Sequence, residues 1–138
     1  MKKLLSLGFL PASSALALAV LRIWLGLSMV ILHGWGKLTG FSGMAAGFFD
    51  PLGIGPRLSL GLSTFAELVC AALVVIGFAT RLAALVLIVN LGVAFALVHK
   101  FALSGPMSGE AAFVYLAGFV AIFLAGPGCL AADGKGGG

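Results

Sequence analysis

Charge is scarce in this sequence: eight Lys and Arg and four Asp and Glu make up 9% of 138 residues, against roughly a quarter in an ordinary soluble domain. A chain this short leaves much of its surface exposed, and so few ionisable side chains cannot cover it, which excludes a water-soluble globular protein. Cysteine is scarce too. Cys70 and Cys129 stand far apart, without C-x-x-C spacing or a histidine cluster, which excludes a disulfide framework and a zinc site. Cys70 reads as a small packing residue in an apolar run, and no metal is expected. A basic stripe is missing as well: the net charge of +4 comes from singly scattered residues, so nucleic acid is not an expected partner. Finally, there is no Rossmann glycine fingerprint, no Cys-rich cluster motif and no haem attachment motif, so no cofactor is encoded by motif.

What abounds is hydrocarbon. Hydrophobic residues make up 62% of the chain and mean hydropathy is +1.23, so the solvent expected is a lipid bilayer. Four apolar stretches meet the length rule for membrane helices, at about residues 14–33, 58–78, 82–98 and 110–125. Residues 82–98 are apolar on nearly every side apart from Asn90, unlike the alternating segments of a β-barrel. The fold class expected is therefore all-α: an integral membrane four-helix antiparallel bundle forming a single transmembrane domain over residues 1–138. Its first and second helices are joined by a long glycine-rich loop, residues 34–57, which includes an amphipathic fragment from Gly43 to Asp50. Only Ala79-Thr80-Arg81 separate the second and third apolar runs, which implies a hairpin with Thr80 as N-cap.

Met1-Lys2-Lys3, then Leu4 to Leu10 and Ala15-Leu16-Ala17, imitate a cleavable leader. The apolar run continues to His33, however, so a membrane span is expected, starting near Pro11 to Ser14, with the first ten residues along the interface. Residues 134–138 read as a flexible tail. Lys2, Lys3 and Arg81 near helix ends lead to the expectation that both termini are cytoplasmic.

Against this background a few polar residues stand out. Arg22 and Glu67 lie inside the first and second spans, where an isolated charge costs at least about 2.5–3.5 kcal/mol, so each needs a partner. At about 1.5 Å per residue, Arg22, Glu67 and Asn90 fall at nearly one depth, which makes an Arg22–Glu67 pair with Asn90 beside it the expected buried polar cluster. Tyr115 on the fourth helix is placed to hydrogen-bond into it. One reading makes this cluster structural, a polar knot fixing helix register; the other makes it a site of proton exchange or head-group binding. A second set lies at the opposite membrane face. His33, with Lys37 if the helix persists, continues the stripe of Arg22, Gly26 and Met29, while His99-Lys100 ends the third span and Glu110 begins the fourth. His33, Lys37, His99 and Lys100 are accordingly the candidate quinone-binding residues, because histidine titrates near neutrality and can donate to or shuttle protons for a quinone carbonyl; the alternative is that they are the ordinary side chains of a membrane interface. His99 lies half a turn from Asn90, which places it facing away from the bundle.

The ordered features resemble the DoxX family of small four-helix membrane proteins. The matching residues are Leu21-Arg22-Ile23, His33-Gly34-Trp35-Gly36-Lys37-Leu38, Glu67, Gly77-Phe78-Ala79-Thr80-Arg81 and His99-Lys100, followed by Gly109-Glu110, Tyr115, Gly126-Pro127-Gly128 and Asp133. Ala131-Ala132 before Asp133 departs from the serine-like residue usual in the family. The resemblance implies an inner-membrane protein of the redox-associated kind, similar to the membrane subunit of thiosulfate:quinone oxidoreductase. The expected function is a quinone-facing subunit of a membrane redox system, with a redox partner protein or a homo-oligomer as associate. A non-catalytic scaffold for an oxidoreductase and a small-solute permease are the alternatives, the last handicapped by the lack of an inverted repeat.

Overall fold

The structure, a computed structural model, describes residues 13–134. Lys2, Lys3, Pro11, the expected interfacial run and the tail beyond Gly134 lie outside them. Among the described residues there is no strand. The helices are α1 (Ser14–Thr39), α2 (Phe41–Met44), α3 (Pro56–Ile76), α4 (Thr80–Val98) and α5 (Glu110–Ala125). Three of them, α1, α3 and α4, are long and apolar enough to cross a membrane, while α5 is apolar but shorter. Side chains such as Trp24, Leu32, Leu82 and Leu124 are exposed on them, as helices immersed in lipid require.

Two boundaries differ from those expected. Glycines 34 and 36 do not end α1, which runs on to Thr39, because the close approach of α1 to α3 at Gly34 offsets the roughly 1 kcal/mol each glycine costs a helix interior. The connection to α3 is shortened accordingly, and within the expected amphipathic fragment helix extends only over Phe41–Met44. Pro56 opens α3, and Asp50 organises its start by accepting from the amides of Ile54 (3.1 Å) and Gly55 (2.7 Å) and from the Ser59 hydroxyl (2.6 Å).

Each long helix contains a π turn, in which an amide reaches back five residues: Trp35 N–H to Val30 O, Ala71 N–H to Ala66 O, and His99 N–H to Ala94 O. A π turn inserts one extra residue, which rotates everything after it by about 100°. These three turns decide which polar side chains face one another.

Packing is by small residues, since helices in lipid gain little from apolar burial alone. A Cβ on Gly26 would lie 2.9 Å from Ala71 O and one on Gly34 would lie 2.6 Å from Glu67 O, so α1 and α3 touch backbone to backbone at two levels. Gly118 receives Leu25 in the same way, bringing α5 against α1. Ala83, Ala84, Leu87 and Leu91 of α4 and Ala112, Phe119 and Ile122 of α5 complete the buried core.

The α3–α4 turn is closed from a distance. Gly77 at φ +74° ends α3, with Phe78 N–H bonded back to Leu73 O. Thr80 is not the N-cap of α4: Ala79 holds that position, and the Asp133 carboxylate caps the helix by accepting from Ala79 N (2.7 Å), Thr80 N (2.9 Å) and Thr80 Oγ1 (2.8 Å). The Thr80 amide and hydroxyl, the Ala79 amide and the nearby Arg22 charge hold the Asp133 carboxyl below its ordinary value of 3.8.

Candidate functional site

The sequence offers one intramembrane carboxylate in α3, and the fold gives it three neighbours from three helical segments. Lys37 Nζ, near the end of α1, donates to both Glu67 oxygens at 2.6 Å and to Ser63 Oγ at 2.7 Å, using all three of its protons. Ser63, one turn before Glu67, donates to Oε1 at 3.2 Å, and Asn90 of α4 donates from Nδ2 at 3.1 Å. The Glu67 side chain is 7% exposed and that of Lys37 20%, so the pair is held out of water. Such a pair stands where each buried polar atom has at least one partner, as here.

This network forms part of the wall of a cavity of about 640 Å³ between α3 and α4. Its remaining walls are apolar, among them Leu62, Phe65, Val86, Val89 and Val93, and Phe48, Phe49, Pro51, Leu52 and Ile54 of the connecting segment cover one end. Ser59 and His99 lie at that same end. Lys37 Nζ stands 5.7 Å from the centroid of the Phe48 ring, within reach of a cation–π contact. An apolar cavity with a few convergent polar groups suits a small, largely apolar molecule that carries a hydrogen-bonding head.

The expected Arg22–Glu67 pair does not form. Arg22 is fully buried, but its guanidinium donates to five carbonyls: Pro127, Val74, Val75, Cys129 and Leu130. A planar fork of five N–H groups is satisfied by the carbonyls left open at the end of α3 and in the reverse turn after α5, where the helix dipole is negative, so no carboxylate is needed. The two residues are not at one level either: Arg22 packs beside Val74 and Val75 near the end of α3, and Glu67 beside Gly34, about 18 Å further along α1.

Nor does Tyr115 join Glu67. Its hydroxyl donates to Ser28 Oγ (2.9 Å), and Ser28 donates to Leu25 O, forming a separate polar link between α5 and α1. His33 packs edge-on against the Tyr115 ring at 5.5 Å and does not line the cavity. The π turn over Val30–Gly34 explains the split: the buried face of α1 runs through Ala19, Arg22, Gly26 and Met29, then shifts by one residue to Gly34, carrying His33 off it. The π turn over Ala94–Val98 has the opposite effect on His99, bringing it round to the cavity that Asn90 also lines. Its Nδ1 lies 2.9 Å from Met107 O, which can only accept, so Nδ1 carries a proton and Nε2 is the ring nitrogen left to exchange one. Lys100 is exposed and lies outside the cavity lining. Ser63 was not foreseen; it was legible only as the residue one helical turn before Glu67.

A helical membrane protein with an ion pair set into an apolar cavity is the class that the fold and site define. The model of one family, DoxX, matches residues 17–100, more than half of the chain. The chain belongs to the DoxX family. Neither a curated protein nor a solved structure matches it.

Proposed function

We propose that the chain is the quinone-facing subunit of a membrane redox system, and that the cavity lined by Lys37, Glu67 and Asn90 receives the quinone head. The observation carrying this reading is an ion pair buried in the wall of an apolar cavity of about 640 Å³ within the bundle. A quinone is a flat apolar ring with two carbonyl acceptors, and the Asn90 amide, or the Lys37 N–H given up by Ser63, supplies the donor one carbonyl needs. His99 at the covered end supplies a ring nitrogen that exchanges protons with the same cavity, so protons released by a quinol have a route that avoids the apolar core. In this reading α5 is the fourth span of an antiparallel bundle in a bacterial-type inner membrane. Both termini are cytoplasmic, and the covered end of the cavity faces the other side. Electrons pass to or from a redox partner protein.

Titration of the purified protein with a tail-free benzoquinone tests the site. Saturable binding is expected in the wild type, weakened up to about tenfold by Asn90→Leu, in line with the roughly 0.5–1.5 kcal/mol of a neutral hydrogen bond, and about tenfold or more by Lys37→Met, in line with the roughly 1.5–3 kcal/mol of one from a charged group. Absence of saturable binding in the wild type overturns the quinone reading in favour of the scaffold.

A further inference from the structure

The cavity reaches the outer surface of the molecule along its flank between α3 and α4. At the end near Ser59 and His99, Phe48, Phe49 and Ile54 cover it. This roof is fastened twice, by Lys37 beneath the Phe48 ring and by Asp50, whose carboxylate gathers the Ile54 and Gly55 amides with the Ser59 hydroxyl. The flank is different. Leu62 and Phe65 of α3 and Leu85 and Val89 of α4 all line the cavity, yet they are 52%, 49%, 41% and 59% exposed. Phe49 and Ile54 of the roof are exposed as well, at 53% and 42%, but their segment is pinned by Lys37 and Asp50, whereas these four side chains of the α3 and α4 wall carry no such fastening. Contacts between the two helices run where Phe65–Ile76 meets Thr80–Val93, and the helices part towards Pro56–Thr64 and Ala94–Val98. On membrane-spanning helices, such an apolar opening faces acyl chains rather than water.

We infer that the ligand reaches the cavity sideways from the bilayer, through a portal bounded by Leu62, Phe65, Leu85 and Val89. The site thus selects a tailed amphiphile, with its head against Lys37 and Asn90 and its chain leaving between α3 and α4. This rests on the quinone reading for the head and adds the chain. A volume of about 640 Å³ holds a head group and the first carbons of a chain, and a membrane-length tail has to leave it. The portal is also the reason the walls are aliphatic: they meet the start of the tail and the lipid it displaces.

The test uses the whole chain in lipid nanodiscs with two probes, a tail-free benzoquinone and the same head carrying a decyl chain. Leu62→Trp and Val89→Trp place bulk on opposite edges of the portal, at exposed positions where folding does not depend on the side chain. Because both residues also border the head cavity, the readout is the difference between probes: each variant is expected to weaken the decyl probe about tenfold more than the tail-free one, the effect of overfilling a packed site. Trp variants that bind both probes as the wild type does, or lose both alike, overturn the portal and leave the quinone head site standing. A wild type that binds neither probe overturns the quinone reading itself.

Discussion

Removing either member of the Lys37–Glu67 pair should destabilise the protein, and by unequal amounts. Lys37→Met leaves a carboxylate that is 7% exposed with only the neutral donors Ser63 and Asn90. Breaking a buried pair costs about 3–5 kcal/mol, and two surviving donors place this case near the lower end, about 3 kcal/mol. Glu67→Gln instead leaves an ammonium on a flexible stem that is 20% exposed and already beside Phe48. That amine can snorkel to the interface, which limits the loss to about 1–2 kcal/mol. The double variant leaves no orphan charge, so its loss should fall short of the sum of the singles by about 2 kcal/mol. Thermal unfolding in detergent, followed by helix content, reads this directly, since about 3 kcal/mol moves the midpoint by on the order of 10 °C in a chain of this length. Additive losses in the double variant would refute the pair. Glu67→Gln costing more than Lys37→Met would refute the account of which charge is trapped.

Gly34→Ala should disrupt the α1–α3 contact, because the new methyl would lie 2.6 Å from Glu67 O, whereas Gly36→Ala, with nothing within 4 Å, should be neutral or slightly stabilising; thermal midpoints separate the two. Arg22→Lys keeps the charge but loses the fork that spans five carbonyls, so a loss of about 3 kcal/mol is expected together with faster amide hydrogen exchange across residues 126–133; unchanged protection there would count against the clamp. Asp133 and Asp50 both titrate below their ordinary 3.8 in the folded chain, Asp50 because the Ser59 hydroxyl and the Gly55 and Ile54 amides favour its charged form. Lowered folded-state values contribute stability that is fully present above pH 3.8 and is lost as pH falls through the folded values, so the midpoint should drop below about pH 4, and Asp133→Asn should lessen that drop.

Hydrophobic composition and run length were enough to establish helices in a membrane, because a bilayer leaves a chain of this composition almost no other way to satisfy its backbone. Glu67, Asn90 and Lys37 were legible as functional candidates for the same reason: a polar group in hydrocarbon has to have a purpose or a partner. Which partner each one takes was decided by tertiary structure. A residue count puts Arg22 and Glu67 at one depth, yet Arg22 sits beside Val74 and Val75 and Glu67 beside Gly34, about 18 Å further along α1. Arg22 therefore turns to carbonyls at the end of α3 and after α5, and Glu67 to a lysine at the far end of α1. Backbone acceptors carry no residue signature, so nothing in the one-dimensional pattern marked them. The π turns were equally hidden, and by rotating each helix about 100° they moved His33 out of the cavity and His99 into it. A strict 3.6-residue count cannot register that shift, because it arises from how three helices fit together rather than from any residue within one of them.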